Sequence, residues 1–253
     1  MSEFDEARDR VTMGPERKTR MNSEKKLRVV AYHELGHAIV AARTPDSDPV
    51  YKITIVPRGN AGGVTWYLPR EEGLYTKQYM LNQICDLLGG RVAEEIVFGD
   101  VTTGASNDLD RATDIARSMV CEFGMSEKLG NIRLGRRQSN PFLGRDLMED
   151  RDYSDEVAKA IDDEVRAFID RNYARARKIL DDNRDRLEKI VEGLMDKETL
   201  ERDEFLEIMG LAKEENPMAE LLSPPTPDDN TPSGNDTPRA PIKPRLRPEP
   251  GPA

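Results

Sequence analysis

The 253-residue sequence predicts a mainly α fold with a small β-sheet or hairpin set just after its first long helix. Three observations predict it. Apolar residues recur at helical spacing in several separate segments, each bounded by a capping residue or a glycine. One short run, around residues 50–68, is instead rich in β-branched side chains and broken by a glycine-rich turn. Charged residues make up 34% of the chain, so the core must come from the apolar stripes of amphipathic helices with solvated outer faces.

Taken in order, residues 1–21 are mostly charged, contain a Gly14-Pro15 break, and read as a lead-in or linker. Asn22 or Ser23 is placed to cap a first helix that carries Glu24 in its opening turn and stops before Pro45. Ile53, Thr54, Ile55 and Val56 predict a strand within Val50–Pro57, and Val64 to Leu68 a second one. The turn Arg58 to Gly63 between them suits a hairpin. Thr76 caps a long helix to about Phe98, with Leu81, Ile84, Cys85, Leu88, Val92 and Ile96 as its stripe and Gly99 as its stop. Gly89-Gly90 in its middle lowers helix propensity, which predicts close packing against another backbone.

A small polar loop, Thr102 to Asp108, leads into a helix capped by Ser106 or Asn107. Leu109, Ala112, Ile115, Ala116, Met119, Val120 and Phe123 are its expected buried face, with Gly124 as its stop. Residues 125–152, including Arg136-Arg137 and Asn140-Pro141, read as an irregular, solvated connection. Ser154 caps a helix with Val157, Ile161, Val165, Phe168, Ile169 and Tyr173 in phase. A run through Leu187, Ile190, Val191, Leu194 and Met195 follows, then a short helix from Leu200 to Met209. This half carries no evident chemistry and is the best candidate for a subunit contact. The domain is expected to span 22–212. Residues 213–253, where proline becomes dense and hydrophobics nearly vanish, are expected to be a disordered tail. Pro241-Ile242-Lys243-Pro244 with Arg245 and Arg247 resembles a proline-rich recognition ligand, although a solvated linker is the simpler reading.

Composition excludes several function classes. A net charge of -10 argues against nucleic acid as the main partner. No apolar run approaches the ~20 residues needed to span a bilayer, and no signal peptide is visible. Cys85 and Cys121 form no C-x-x-C pair and sit on apolar helix faces, as buried free thiols of a reducing compartment would.

The chemistry lies in His33-Glu34-Leu35-Gly36-His37, which holds both histidines of the chain. On a helix, the i, i+4 histidines share a face and can grip one zinc ion, with Glu34 beside the metal as a base for a water molecule. An ordinary helix surface could carry the same letters. The flanks Val29 to Tyr32 and Ala38 to Ala42 are apolar nearly all round, however, and a buried carboxylate among them calls for a partner such as a metal. A catalytic zinc wants three protein ligands. No third histidine exists, and Val40 and Arg43 occupy the glycine and histidine positions of the longer H-E-x-x-H-x-x-G-x-x-H pattern. The third ligand must be a carboxylate, and Glu94, Glu95 and Asp108 are all candidates on spacing alone.

Four runs in order closely resemble the peptidase domain of the FtsH family of membrane-anchored ATP-dependent zinc metalloproteases. They are Tyr32 to Ile39, Ile55-Val56-Pro57-Arg58-Gly59, Gly89 to Ile96, and Thr103 to Leu109. Gly14 to Lys18 also resembles that family's linker between ATPase and peptidase parts. The resemblance implies a helical zinc-peptidase domain. It assigns Asp108 as the third ligand to one Zn2+ per chain beside His33 and His37, Glu34 as the catalytic base, and Glu94 as a group orienting a ligand histidine. It also implies unfolded protein or peptide substrates, a homohexamer, and a parent protein with an AAA ATPase module, anchored in a membrane with this domain on the cytoplasmic side or its organellar equivalent. No G-x-x-x-x-G-K-[ST] loop is present, so ATP would act only through a module outside this chain, which by itself is expected to be soluble. Two rival readings are an interaction module or silent ring scaffold with a structural zinc, and a stand-alone zinc peptidase using Glu94 or Glu95 as ligand.

Overall fold

Helix α1 (Glu24–Arg43) runs through the middle of the structure because its sequence is apolar on almost every side. Ala31, Tyr32, Leu35 and Ala38 to Ala41 are all buried. Ser23 is its N-cap, with Oγ accepting from the Lys26 N–H at 3.4 Å. The computed structural model describes residues 10–11, 23–58, 61–68, 74–135 and 153–211. The Gly14-Pro15 lead-in, the hairpin tip at 59–60, Arg136-Arg137, Asn140-Pro141 and the proline-rich tail lie outside them.

Strands β1 (Val50–Thr54) and β2 (Val64–Tyr67) pair antiparallel, with Ile53 opposite Thr65. A third strand, β3 (Thr199–Glu201), pairs antiparallel with the other edge of β1, giving the order β2-β1-β3. This corrects the sequence expectation of a helix beginning at Leu200. Glu198 turns the chain with φ 59°, and Leu200 enters the core opposite Ile53 from a strand.

Helix α2 (Lys77–Phe98) lies across α1 and ends on Gly99 with φ 68°. The crossing is set by Gly36 and Gly89. A Cβ at Gly36 would stand 2.4 Å from the Gly89 carbonyl oxygen, and one at Gly89 would stand 2.6 Å from that of Gly36. The glycines are needed because two backbones meet here. A 3-10 turn (Thr103–Ala105), capped by Thr102 Oγ1, feeds helix α3 (Ser106–Cys121). The helix therefore begins at Ser106 rather than after a Ser106 or Asn107 cap, and Ala105 at its cap position makes no side-chain bond. It also stops short of Phe123, which is 54% exposed instead of buried. The Phe123 N–H bonds back to the Ser118 carbonyl, and Gly124 turns away with φ 60°.

Helix α4 (Asp155–Asp182) is capped by Ser154 and spans two hydrophobic clusters. Its first half, through Ile161, Val165 and Phe168, packs with α2 and α3. Its second half, through Ala176 and Leu180, joins α1, the sheet, α5 (Arg184–Lys197) and α6 (Arg202–Met209). Arg43, at the end of α1, pins this corner by donating to Asn183 Oδ1 (3.1 Å) and the Met209 carbonyl (2.8 Å). Cys85 is buried and Cys121 half-buried, and neither is in a disulfide. No helix among the described residues is long and apolar enough to cross a membrane.

Candidate metal centre

The buried helix α1 turns His33, Glu34 and His37 toward a cleft walled by β2, α2 and the start of α3. His33 Nε2 and His37 Nε2 stand 3.1 Å apart. Asp108 Oδ2 lies 3.3 Å from the first and 3.4 Å from the second. These three donor atoms fall within 4.8 Å of one another, the one such cluster among the described residues. A tetrahedral zinc with bonds of about 2.0–2.1 Å sets its ligands about 3.3 Å apart, so the spacing fits that ion.

The hydrogen bonds behind the rings fix their roles. His33 Nδ1 lies 2.8 Å from Glu94 Oε1, and His37 Nδ1 lies 2.7 Å from the Asp86 carbonyl oxygen. An acceptor on each Nδ1 makes that nitrogen the N–H, which leaves both Nε2 lone pairs facing each other across the gap. In neutral rings such lone pairs repel unless a cation, either a proton or a metal ion, lies between them. Burial works against charge on His33, but bonding to Asp108 and Glu94 outweighs it and carries its pKa up to about 10. Asp108 is likewise opposed by burial, yet its hydrogen bonds to both histidines hold its carboxyl well below the usual range. The donor set thus favours a positive charge in the gap.

Glu94 is fully committed. Its Oε1 meets His33, and its Oε2 accepts from the Thr102 N–H at 2.6 Å. Glu95 is one residue on and points elsewhere, to the Tyr173 hydroxyl and to Arg177 Nη1 (2.8 Å). Of the carboxylates left open by sequence spacing, only Asp108 is gathered with the two histidines. Glu34 sits beside them, 9% exposed, with its Oε2 3.0 Å from Thr65 Oγ1. Burial raises its pKa against the attraction of the two histidines.

Three contributors were not legible beforehand. Thr65 touches both the Glu34 carboxylate and, at 2.9 Å, the Glu34 carbonyl, and nothing in the sequence of β2 marks it. The Asp86 carbonyl is backbone, which no motif reports. Gly90 leaves the room the rings occupy, because a Cβ there would lie 2.5 Å from His37 Nε2 and 2.6 Å from His33 Cε1. The Gly89-Gly90 pair is the sequence signal for it: Gly89 meets the backbone of α1 and Gly90 makes room for the rings.

A buried helix that presents two histidines and a glutamate to a cleft, with a carboxylate closing the cluster, defines the class of helical metallopeptidase domains. Sequence comparison supplies the particular family. Residues 20–208 match the model of peptidase family M41, and the chain belongs to that family. It is 53% identical over 211 residues to ATP-dependent zinc metalloprotease FtsH 3 of Synechocystis sp., covering 81% of this chain and 34% of that protein. It is also 49% identical over 226 residues to an ATP-dependent zinc metalloprotease FtsH of Kosmotoga olearia, covering 87% and 35%. Against the FtsH of Thermotoga maritima it is 48% identical over 211 residues, covering 83% and 35%. The chain therefore spans about a third of the length of these relatives.

Proposed function

We propose that this chain is the zinc endopeptidase part of a membrane-anchored, ATP-dependent protease, with His33, His37 and Asp108 as the metal ligands and Glu34 as the catalytic base. The observation that carries the reading is the convergence of His33 Nε2, His37 Nε2 and one Asp108 oxygen at mutual distances of 3.1–3.4 Å. Three protein ligands leave a fourth position open, which favours a catalytic over a closed structural site. Among the described residues the metal-ligand cluster has three members, and Glu94 is not a fourth, since it spends both oxygens on His33 and Thr102.

Zinc held there supplies Lewis acidity to the scissile carbonyl. The chain's own residues do the rest. The Glu34 carboxylate takes a proton from the attacking water and passes it to the departing amine nitrogen. Its burial raises its proton affinity, which suits both transfers. Thr65 holds Glu34 from the β2 side, and Glu94 and the Asp86 carbonyl keep the rings in register. Strand β2 is one of the two edge strands of the sheet and lines the cleft through Val64 and Thr65. Its outer edge pairs with no other strand among the described residues and offers backbone groups that can align an extended peptide. An extended strand is what an unfolded chain presents, so unfolded or unfoldase-delivered proteins are the proposed substrates. The AAA ATPase that would deliver them, the homohexameric ring and the membrane anchor with this domain on the cytoplasmic side belong to the same proposal. It draws support from the FtsH name of the relatives and from the part of their length this chain spans. Chelation should abolish cleavage of casein by the chain, and stoichiometric zinc should restore it. Cleavage that survives complete removal of metal would refute the reading.

A further inference from the structure

The cleft continues past His37 along α2, where Gln83, Asp86 and Glu94 face it at helical spacing. Asp86 lies one turn before Gly90, or about 6 Å along the axis from the point where α2 abuts the histidine rings. Its carbonyl has a task in holding His37. Of its carboxylate, Oδ1 is shielded from solvent and completes no hydrogen bond. Burial carries its pKa up to about 7, against the easing effect of the adjacent Ser47 hydroxyl and of His37 and Arg175. Arg175 on the neighbouring α4 donates instead to Asn82 Oδ1 at 2.8 Å. Asp48, held by the Tyr79 hydroxyl at 3.0 Å, adds a second carboxylate to the same end of the cleft. Among the described residues lining the cleft, Arg111 is the one lysine or arginine, and it lies one turn after Asp108 on α3. Tyr67, Leu87 and Ile115 supply ring and aliphatic wall.

An unpaired, shielded carboxylate oxygen is costly unless a ligand completes it. A flexible basic side chain does so while laying its methylene stem along an apolar wall. We propose that Asp86 is a specificity-determining residue. With Tyr67, Leu87 and Ile115 it forms a side-chain subsite beside His37 that selects a lysine or arginine of the peptide next to the scissile bond. This rests on the peptidase reading above. A lysine carries its ammonium far enough from the backbone to reach one helical turn beyond the metal-ligand cluster, whereas a glutamate there would meet the carboxyl groups of Asp86 and Asp48 with no cation between them.

The test uses the 253-residue chain and three otherwise identical peptides with Lys, Met or Glu at each position flanking the cleaved bond. At one flanking position the wild type should cleave the Lys peptide roughly ten- to a hundredfold faster in kcat/KM than the Met peptide, with Glu slowest. In Asp86→Asn the Lys-to-Met ratio should collapse toward one, and in Asp86→Lys the order of Lys and Glu should reverse. Each ratio is taken within one enzyme, so a general loss of activity does not imitate the result. A wild type without preference, or a preference unchanged in Asp86→Asn, would overturn the proposal. Should the wild type cleave none of the peptides, the peptidase reading fails, and binding still decides the subsite. Zinc-loaded Glu34→Gln should bind a fluorescent Lys peptide at least several-fold more tightly than its Met counterpart. Equal binding would overturn the assignment.

Discussion

At the scale of residues, the site works by pairing each ligand with a group that fixes it. Glu94 and the Asp86 carbonyl choose the tautomers of His33 and His37, and Thr65 steadies Glu34. Asp108 and Glu94 therefore differ in kind, and zinc titration should separate them. Glu94→Gln keeps a hydrogen-bonding group behind His33 and is expected to weaken zinc binding by roughly 10–100-fold. Asp108→Asn removes a charged donor from the cluster and should weaken it further. The reverse order would move the third ligand to the α2 glutamate. Gly90→Ala inserts a methyl where the histidine rings lie, and should lose zinc while circular dichroism still reports the helical fold. Unchanged zinc affinity in that variant would mean the rings have another position available. The H-e-x-x-H residues were legible in the sequence because a helix places i and i+4 together without help from the rest of the chain. Asp108 was not, because spacing cannot say which distant carboxylate closes the cluster; the family resemblance named it. Glu94 and Glu95 looked equivalent, but adjacent helix positions point in different directions, toward His33 in one case and toward Tyr173 and Arg177 in the other.

At the scale of elements, the crossing of α1 and α2 is the joint on which the site depends. It brings backbone to backbone at Gly36 and Gly89, and this places Asp86, Gly90 and Glu94 behind the two histidines. Gly36→Ala must part the helices, since its new carbon would overlap the Gly89 carbonyl. Overpacking of this kind costs about 1–3 kcal/mol, and each kcal/mol lowers Tm by roughly 2–4 °C in a domain of this size. Thermal unfolding should show that loss together with weaker zinc binding, and an unaltered Tm would deny the joint its role. Helix identity was legible because apolar spacing and caps agreed, as at Ser23, Thr76 and Ser154. The ends were less so. Phe123 is in phase with the buried stripe of α3, but the helix stops at Cys121 and the ring swings outward. Leu200 leads straight into the run that carries Phe205 and Met209, yet pairing with β1 claims it for a strand. Both outcomes are set by tertiary contacts that local periodicity does not carry.

At the scale of the whole molecule, the described residues form two hydrophobic clusters bridged by α4, and the metal-ligand cluster lies in a cleft lined from both sides of that division. Zinc at the proposed site would tie together α1 and α3, which are far apart in sequence. The central claim is a catalytic zinc at this point with Glu34 as its base. The most direct measurement is metal content and casein cleavage on one preparation, wild type beside Glu34→Gln. The account predicts one zinc per chain in both proteins and cleavage by the wild type alone. Cleavage by Glu34→Gln at the wild-type rate would contradict it.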